Sequence, residues 1–330
     1  MLDILKNNRG MALLITILVI SLILVMTLRF NVSMRSSITN ASNLQNGIAL
    51  DNMAKSIFNS ARAILSVDAE ESGFDTLHED WANLEAAAGY FSSFFSGGQG
   101  GMKITDHSGR LQINSLLKKT DDAWDINEDQ KEVWVNLLSR EEFELAEGEA
   151  ENIIEAVIDW LDEDDEPRGF GGAESSYYQR LDTPYGPRNG PMEFIEELLL
   201  VKGITDELYF GTGEIPGLAS LVTPHGIDGK ININTADAFV LGALSKDIDQ
   251  GMVDEMLTFR DNEENDLGDI GWYKIVIPDD VDIPPVLITT SSSFFEILTE
   301  VVMGNMRKKL RGMVARGPGS STDLVYWRIE

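Results

Sequence analysis

The chain has 330 residues, which is long enough for a membrane helix together with one large or two ordinary domains. Because 43% of its residues are hydrophobic, the soluble part can bury a core. Its 55 acidic residues outnumber 26 basic ones and give a formal net charge of −29. Such a charge repels phosphate backbones and argues against nucleic acid as a main partner, whereas it suits divalent cations. Because the chain has no cysteine, disulfide bonds and thiolate–metal chemistry are excluded.

An uncharged apolar run of 18 residues occupies positions 11–28. A helix of that length covers about 27 Å, close to the roughly 30 Å of a hydrocarbon core. The run is longer than the about 7–15 residues of a secretory signal, and no small-residue cleavage site follows it, so the sequence predicts a retained membrane helix. Lys6 and Arg9 favour a cytoplasmic N-terminus, which Arg29 and Arg35 weaken without reversing. The rest of the chain is therefore expected across the membrane, which in a bacterium is the periplasm.

The helical pattern continues beyond the membrane run to about Val67. SGGQGG (96–101) then predicts a flexible joint, and the segment after it predicts two short strands around a turn at Ser108-Gly109. In the helical pattern that ends at about Val67, apolar residues recur at steps of three to five residues, which predicts a helix that packs one face on a globular domain. These residues are Leu44, Ile48, Met53, Ile57, Ala61, Ile64 and Leu65.

From about residue 113 to 265 the pattern is mostly helical, with acidic or Gly/Pro-rich loops between the helices. The predicted helices are 127–139, 141–161, 191–201, 235–245 and 250–262. Farther on, alternating apolar and polar residues predict strands, with a two-residue hairpin turn at Gly304-Asn305. Residues 317–322 predict another turn, and residues 324–330 a last strand. A long helix, a small β portion, a large helical insert and an antiparallel sheet make an α+β fold.

The leader resembles that of prepilins, because it is short and basic and ends at Gly10 immediately before an apolar helix. This resemblance implies that a prepilin peptidase cuts after Gly10 and that Met11 becomes the methylated N-terminus. Most pilins carry a glutamate five residues after the cut, where this sequence has Ile15. The K-type minor pseudopilins of type II secretion, also called general secretion pathway protein K, typically lack that glutamate. Without it a subunit cannot pair the carboxylate with a neighbour's N-terminal amine, which fits a position at a filament tip.

Three further segments resemble the same K-type family. They are DWLDEDDEPRGFGGAESSYYQRLDTPYGPRNGPMEFIEELLLVKGIT (159–205), ININTADAFVLGAL (231–244) and SSSFFEILTEVVMGNMRKKLRGMVAR (291–316). The resemblance implies a pilin-like fold, in which a long N-terminal helix packs on a small antiparallel sheet and a large α-helical domain is inserted. The expected parts are a leader peptide (1–10), the transmembrane part of the helix (11–28), the periplasmic helix with the first part of the pilin-like domain (29–112), the inserted helical domain (113–265) and the C-terminal strands (266–330).

For function, the resemblance implies a minor pseudopilin that joins the I-type and J-type minor pseudopilins in a tip complex. That complex would initiate and cap a periplasmic pseudopilus for export of folded proteins across the outer membrane, with this chain anchored by a single span in the inner membrane. The resemblance leaves the major pseudopilin and exported proteins open as further partners. No enzymatic activity is expected, because His78, His107 and His225 are the only histidines, and neither HExxH nor G-x-S-x-G occurs.

The acidic loop, which we define as residues 159–174, carries clustered carboxylates of the kind that hard cations such as Ca²⁺ prefer. It is no EF-hand, since Pro167 stands where that loop requires glycine. A solvated acidic helix end would have the same composition. Because members of the family bind calcium in the helical insert, the resemblance implies a structural calcium site, with Asp162, Asp164 and Glu174 as the expected ligands and Asp159, Asp165 and Asp182 as alternatives. A second acidic loop, residues 261–269, invites the same interpretation with poorer support from the family.

The segments 198–205 and 231–244 also resemble helix-hairpin-helix elements, whose glycine-bearing turn offers amides to a phosphate. They support an alternative function, that of a membrane-anchored periplasmic DNA receptor of the competence type. The charge argues against this alternative, because Lys202 is nearly alone among acidic residues. We therefore expect no nucleic acid partner and interpret these segments as elements of the fold.

Overall fold

The computed structural model describes residues 8–84, 98–120, 124–317 and 321–330. Most of the expected leader peptide and parts of the segments 96–101 and 317–322 lie outside these ranges. The α-helices of the described part are α1 (Asn8–Glu71), α2 (Glu128–Leu138), α3 (Glu149–Leu161), α4 (Ser175–Tyr178), α5 (Asp206–Phe210), α6 (Leu218–Leu221), α7 (Ala238–Ala243) and α8 (Gln250–Arg260).

In the described part of the chain most of the strands are short, and only four are eight residues or longer. The strands are β1 (Gln99–Asp106), β2 (Leu111–Gln112), β3 (Leu117–Lys119), β4 (Trp124–Ile126), β5 (Gly211–Thr212), β6 (Ile215–Pro216), β7 (Val222–Thr223), β8 (Ile231–Asn232), β9 (Ile288–Thr289), β10 (Phe294–Met303), β11 (Met306–Arg316) and β12 (Thr322–Ile329). Short 3₁₀ helices of one or two turns occupy Ile113–Leu116, Glu141–Phe143, Ile195–Leu200 and Trp272–Ile275.

The long helix packs against a four-stranded antiparallel sheet in the order β1-β10-β11-β12. Their shared core is made by one stripe of α1 and the inward positions of the strands, which include Phe295, Ile297 and Leu310. Leu44 and Ile48, which the sequence places in the stripe, are exposed. Leu44 precedes the contact with the sheet, which begins at about Gly47, and Ile48 lies on a face of α1 that the sheet does not cover. The buried stripe is Leu50, Met53, Ala54, Ile57, Phe58, Ala61 and Leu65.

The first part of α1 stands free of the rest of the molecule. Its apolar side chains between Met11 and Leu28 are exposed, and the hydropathy of this stretch reaches a mean of 2.9 with none of it buried. By length and composition it can cross a membrane. Leu28 precedes Gly47, where contact with the sheet begins, by about 28 Å of helix. The folded part of the molecule is therefore held well clear of the apolar run.

The helical insert leaves the sheet at the end farthest from the apolar run. At the near end, the turn between β10 and β11 approaches α1, since Met306 lies against Gly47. At the far end, Arg316 donates hydrogen bonds to the carbonyl of Leu65 and the carboxylate of Asp68, 3.1 and 2.8 Å away. β1 ends and β10 begins at this far end, and the chain between them forms the insert. The insert therefore covers the tip of the helix–sheet unit.

The insert has a hydrophobic core of its own, which extends from Leu111 to Ile288. The boundary expected at residue 265 is therefore wrong. Trp272, Tyr273 and Leu287 are buried in the same core as the preceding helices, so the strands of the sheet resume only at Phe294. The segment after residue 260 is rich in acidic residues, which is typical of an exposed loop, so the sequence pattern did not indicate that residues farther along it are buried.

Three element predictions need correction. The predicted helix 141–161 is a 3₁₀ turn followed by α3, because Gly148 with φ of +79° breaks the helical path. The predicted helix 191–201 is reduced to the 3₁₀ turn Ile195–Leu200. The predicted flexible joint at 96–101 is partly wrong, since residues 99–101 pair with β10 as the start of β1.

The remaining element predictions agree with the structure to within a few residues. The hairpin turn at Gly304-Asn305 joins β10 to β11, and Gly304 has a φ of +59°. Strands do flank Ser108-Gly109, but they do not pair with each other, because β1 joins β10 and β2 joins β7 in a parallel pair. The α+β fold class, with a long helix on an antiparallel sheet and a large helical insert, is confirmed.

Gly312 offers a test of the helix–sheet contact. A Cβ atom at this position would lie 2.8 Å from the ring of Phe58 on α1 and 2.9 Å from the carbonyl oxygen of Tyr326 on β12. We expect Gly312→Ala to lower the free energy of unfolding by about 1–3 kcal/mol, because neither neighbour can move without disturbing the packing. Chemical denaturation of the full chain in detergent measures this change.

Gly101→Ala is the matched control, because Gly101 lies in the same sheet and no atom lies within 4 Å of a Cβ built there. An equal loss of stability in the two variants would contradict the close contact between α1 and β11.

Candidate metal centre

The acidic loop begins where α3 ends. Leu161 is the last helical residue, and Asp162 caps the helix with its amide bonded to the carbonyl of Ile158. α3 has a strongly amphipathic sequence, whose apolar face packs into the core of the insert. The helix thereby fixes the position of Asp159 in its last turn, where the carboxylate is fully buried.

Asp159 holds the loop in place through main-chain hydrogen bonds. Its carboxylate accepts from the amide of Arg168 at 3.1 Å and from the amide of Ala173 at 2.8 Å. The chain is folded back on α3 so tightly that a Cβ at Gly172 would lie 2.4 Å from the Asp159 carboxylate. A glycine is therefore required at this point for the chain to return to the end of α3. Its return brings Glu174 back beside Asp162.

The structure brings together the three residues that the sequence singles out. One carboxylate oxygen from each of Asp162, Asp164 and Glu174 lies within 4.8 Å of the other two. Asp162 and Glu174 are buried, whereas Asp164 is exposed at the mouth of the cluster. Oxygen ligands at this spacing, from two buried carboxylates and one exposed one, match the preferences of a hard cation such as Ca²⁺.

Several of these buried oxygens are left without a partner. Among the described residues, no donor reaches Asp162 Oδ1 or either carboxylate oxygen of Glu174. Buried carboxylate oxygens are normally hydrogen-bonded or bound to a cation, because an unpaired one loses its hydration without compensation. The donor set therefore fits a metal ion, and the arrangement is unfavourable without one.

The pKa values show the same excess of negative charge. Burial, followed by repulsion from Asp159 and Asp162, raises the pKa of Glu174 to about 8. Burial also raises the pKa of Asp159 to about 6 and that of Asp162 above its usual value, although Arg168 opposes both shifts. A cation held between these groups would favour their ionised forms.

Arg168 is a functional residue that the sequence did not indicate. Its guanidinium donates to Asp162 Oδ2 at 3.0 and 2.8 Å and lies 3.7 Å from Asp159. Because it occupies only one oxygen of Asp162, the other stays free for a metal ion. An arginine between two acidic runs is common on protein surfaces, so only the folded loop distinguishes it.

The three residues expected as alternative ligands, Asp159, Asp165 and Asp182, are not members of the cluster. Asp159 holds the main chain, as described above, and the Asp165 carboxylate accepts from the amide of Ser175. Asp182 is exposed and is not part of the cluster. In the second acidic loop, 261–269, the described carboxylates do not form a group of three, and Asp266 and Asp269 instead accept from amides two residues ahead.

A second group of three carboxylates does converge, at Asp68, Asp75 and Glu79. Arg316 binds two of the three, because its guanidinium donates to Asp68 at 2.8 Å and to Asp75 at 2.5 Å. Glu79 accepts from the indole of Trp81 and from a main-chain amide. These oxygens have partners within the protein, so this group serves as an internal ion pair.

Gly10 and Met11, the expected cleavage and methylation site, lie near the start of α1 and are exposed. Lys202, the basic residue of the helix-hairpin-helix resemblance, has its ammonium group bonded to the carbonyls of Gly171 and Gly172. It thus binds the glycine turn of the acidic loop, which accounts for the lysine without a phosphate.

Comparisons with known proteins show which proteins this chain is similar to. The family model described as "Type II secretion system (T2SS), protein K" matches residues 109–210, the part of the insert that contains the acidic loop. Type II secretion system protein K of Pseudomonas aeruginosa is 26% identical over 263 residues, which cover 78% of this chain and 73% of the relative. The protein of the same name from Aeromonas hydrophila is 25% identical over 329 residues, which cover 94% of each chain.

The fold is shared with a solved structure. A chain in the crystal structure of the GspK-GspI-GspJ complex of the enterotoxigenic Escherichia coli type 2 secretion system matches with a TM-score of 0.69 and 18% identity. The match covers 88% of this chain and 99% of the other. The chain is therefore similar to type II secretion system protein K in sequence along nearly its whole length, and it shares the fold of the solved GspK chain.

Proposed function

We propose that the chain is the K-type minor pseudopilin of a bacterial type II secretion system and forms the tip of its pseudopilus with the I-type and J-type minor pseudopilins. The observation that carries this proposal is the position of the insert. The helix–sheet unit carries the bulky insert at its end away from the apolar run. Helix–sheet units can stack side by side along a filament. The insert would prevent a further subunit from stacking above it.

The first part of α1 supports the same position. Ile15 is exposed on this helix, where most pilins have a glutamate that pairs with a neighbouring subunit's N-terminal amine. An apolar side chain makes no such pair, so the chain is suited to a place with no subunit above it. In this proposal residues 11–28 anchor the protein in the inner membrane, and the folded part lies in the periplasm. The tip complex then starts and caps the pseudopilus that helps to export folded proteins.

Processing of the N-terminus tests the pseudopilin proposal. When the full chain is expressed with prepilin peptidase, we expect the mature protein to begin at Met11 and to carry one additional methyl group. Gly10 and Met11 are exposed and are therefore accessible to the peptidase. Mass spectrometry of the intact protein and of its N-terminal peptide gives both results.

The control is the same chain expressed without the peptidase, which should keep residues 1–10. Retention of the leader in the presence of an active peptidase, or cleavage beyond residue 28, would contradict the pseudopilin proposal.

The tip position has a separate test. Co-expressed with the I-type and J-type minor pseudopilins, the tagged chain should purify with both in equal amounts and without a second copy of itself. Ile15→Glu should leave this stoichiometry unchanged, because the insert would still block a subunit above. Quantitative mass spectrometry of the complex measures the ratio. More than one copy per complex or filament, in the original chain or in the variant, would place the protein in the shaft and reject the role of the insert.

We further propose that Asp162, Asp164 and Glu174 hold a structural Ca²⁺ ion. The unpartnered oxygens of Asp162 and Glu174 support this proposal, as does the raised pKa of Glu174. Bound there, the ion would supply the positive charge that the cluster lacks. Its ligands come from the end of α3 and from beyond the glycine turn, so the ion would tie these two parts of the insert together.

The variant Glu174→Gln distinguishes a loop that binds calcium from an acidic loop that binds no ion. In chelator, we expect this variant to be more stable than the original chain, because Glu174 must either take up a proton on folding or carry a crowded charge, and glutamine does neither. In calcium we expect the order to reverse, since the original chain gains about 2.7 kcal/mol at a concentration roughly 100 times Kd and the variant loses most of this gain. Thermal unfolding of the full chain in detergent, with calcium and with chelator, measures both differences.

Glu166→Gln is the matched control, because Glu166 is exposed on the same loop and outside the cluster. It should respond to calcium like the original chain. A calcium response that Glu174→Gln does not reduce would exclude this site.

A further inference from the structure

A cleft of about 520 Å³ lies on the outer face of the sheet, opposite α1. One wall is formed by β11 and β12, and the other by the insert around Phe194 and Phe210. It is separate from the acidic loop, and neither the predicted metal site nor the stacking of α1 makes use of it.

Two arginines stand directly opposite each other on the sheet wall of this cleft. Arg311 of β11 pairs in register with Arg328 of β12, so their side chains share one face. Like charges in this position destabilise a strand pair. Glu296 accepts from Arg311 at 3.0 Å, but Arg311 Nε is buried without a partner among the described residues. Arg328 is paired with Glu330 at the very end of the chain, 2.7 Å away.

A third arginine lies nearby with still less compensation. Arg110 donates one long hydrogen bond of 3.4 Å to the carbonyl of Ala219, and no carboxylate of the described residues lies within ion-pair distance of it. Glu296, Asp106 and Asp237 favour its charge only from farther away. Burial lowers the pKa of Arg110 from its usual value. In a protein with a net charge of −29, a half-buried arginine without a carboxylate partner is unexpected.

Two histidines complete the polar lining. His107 is buried, and its Nδ1 lies 3.1 Å from the hydroxyl of Thr223, while its Nε2 has no partner among the described residues. The Thr223 oxygen also accepts from the amide of His225, and toward Nδ1 the hydroxyl donates or accepts according to the tautomer of the ring. Burial, followed by repulsion from Arg110 and His225, lowers the pKa of His107 and keeps the ring neutral.

The mouth of the cleft is aromatic and apolar. Phe194 and Phe210 are 55% and 67% exposed, and Tyr326 lies across from them on the sheet wall. Glu193 and Glu196 also stand at the mouth, where they would repel a strongly charged anion such as a phosphate. The cleft thus has two nitrogen atoms without a partner among the described residues, Arg311 Nε and His107 Nε2, and exposed rings at its rim.

We propose that this cleft binds a peptide segment in which a carboxylate stands beside an aromatic or large apolar side chain. The carboxylate would accept from Arg110 and would lessen the repulsion between Arg311 and Arg328, and the apolar side chain would cover Phe194 and Phe210. A carboxylate has the geometry that guanidinium groups bind best. The volume exceeds what a lone carboxylate fills, which favours a peptide over a small anion. This proposal does not depend on the tip position or on the calcium site.

The test uses the full chain in detergent and three dansyl-labelled peptides of the same length. The first is dansyl-Gly-Phe-Glu-Phe-Gly-amide, the second has Gln in place of Glu, and the third has Gln and a free C-terminal carboxylate. Fluorescence anisotropy at constant ionic strength measures the affinities. We expect the Glu peptide to bind about tenfold or more tightly than the Gln amide. The third peptide tells whether a chain terminus supplies the carboxylate as well as a side chain does.

Variants locate the binding. Arg110→Gln and Arg328→Gln should each reduce the preference for Glu over Gln severalfold. Arg328 is exposed, so its substitution leaves the fold intact even if Arg110→Gln does not. Arg307→Gln is the matched control, because Arg307 lies on the same strand as Arg311 and pairs with a glutamate at 3.1 Å but lies outside the cleft. Its affinities should equal those of the original chain.

Three results would overturn the proposal. One is equal binding of the Glu and Gln amides, and another is an effect of Arg307→Gln as large as that of Arg328→Gln. The third is displacement of the Glu peptide by sodium acetate at the concentrations at which the peptide itself binds, which would reduce the cleft to a small-anion site.

Discussion

The whole structure depends on one contact, that between the second half of α1 and the four-stranded sheet. Ile57, Phe58 and Ala61 are buried there against Phe295 and Leu310. Burying an Ile or Phe side chain stabilises the fold by roughly 1.5–3 kcal/mol relative to exposure. Polar contacts of α1, such as those of Leu65 and Asp68 with Arg316, add to this apolar contact. The contact also sets a direction, because it fixes which end of the sheet lies near the apolar run and which end carries the insert.

The insert is joined to the far end of the sheet by polar groups rather than by a continuous core. Ser292 donates from its amide to the Asp75 carboxylate and from its hydroxyl to Asp106, each at 2.6 Å. Arg316 neutralises Asp75 from the other side, and burial nevertheless raises the pKa of Asp75 to about 7. The two hydrophobic cores meet across this network without merging. A junction made of directional hydrogen bonds holds one orientation more strictly than an apolar contact would, and the insert must keep that orientation if it is to cover the tip.

Much of the fold could be predicted from local sequence, and much of the junction could not. The apolar run, the stripe from Met53 onward and the Gly304 turn follow patterns contained in a few neighbouring residues. The ion pair of Asp75 with Arg316 joins residues 241 positions apart, and no spacing in the sequence indicates it. The same reasoning explains the boundary of the insert. Trp272 belongs to its core through contacts with distant residues, although the acidic segment before it has the composition of a loop.

The candidate metal site shows a related limit. Acidic composition together with the family resemblance was enough to choose Asp162, Asp164 and Glu174, which converge in the structure. Composition alone could not separate them from Asp165, because the difference lies in what each carboxylate accepts. Asp165 binds a main-chain amide, while both oxygens of Glu174 have no partner among the described residues.

The carboxylate cluster of the acidic loop has an excess of negative charge, whereas the arginines of the cleft bring positive charges together. A protein with 55 acidic residues has carboxylates available for every arginine, yet among the described residues Arg110 has no carboxylate at ion-pair distance and the Glu174 oxygens have no hydrogen-bond partner. Each group is buried deeply enough that water compensates it poorly. An internal pair between the two is impossible, because the acidic loop and the cleft lie on different parts of the insert. In our proposals a cation at the loop and a carboxylate in the cleft would compensate these charges from outside. Because such ligands would bind the folded insert alone, occupancy of either site would stabilise it.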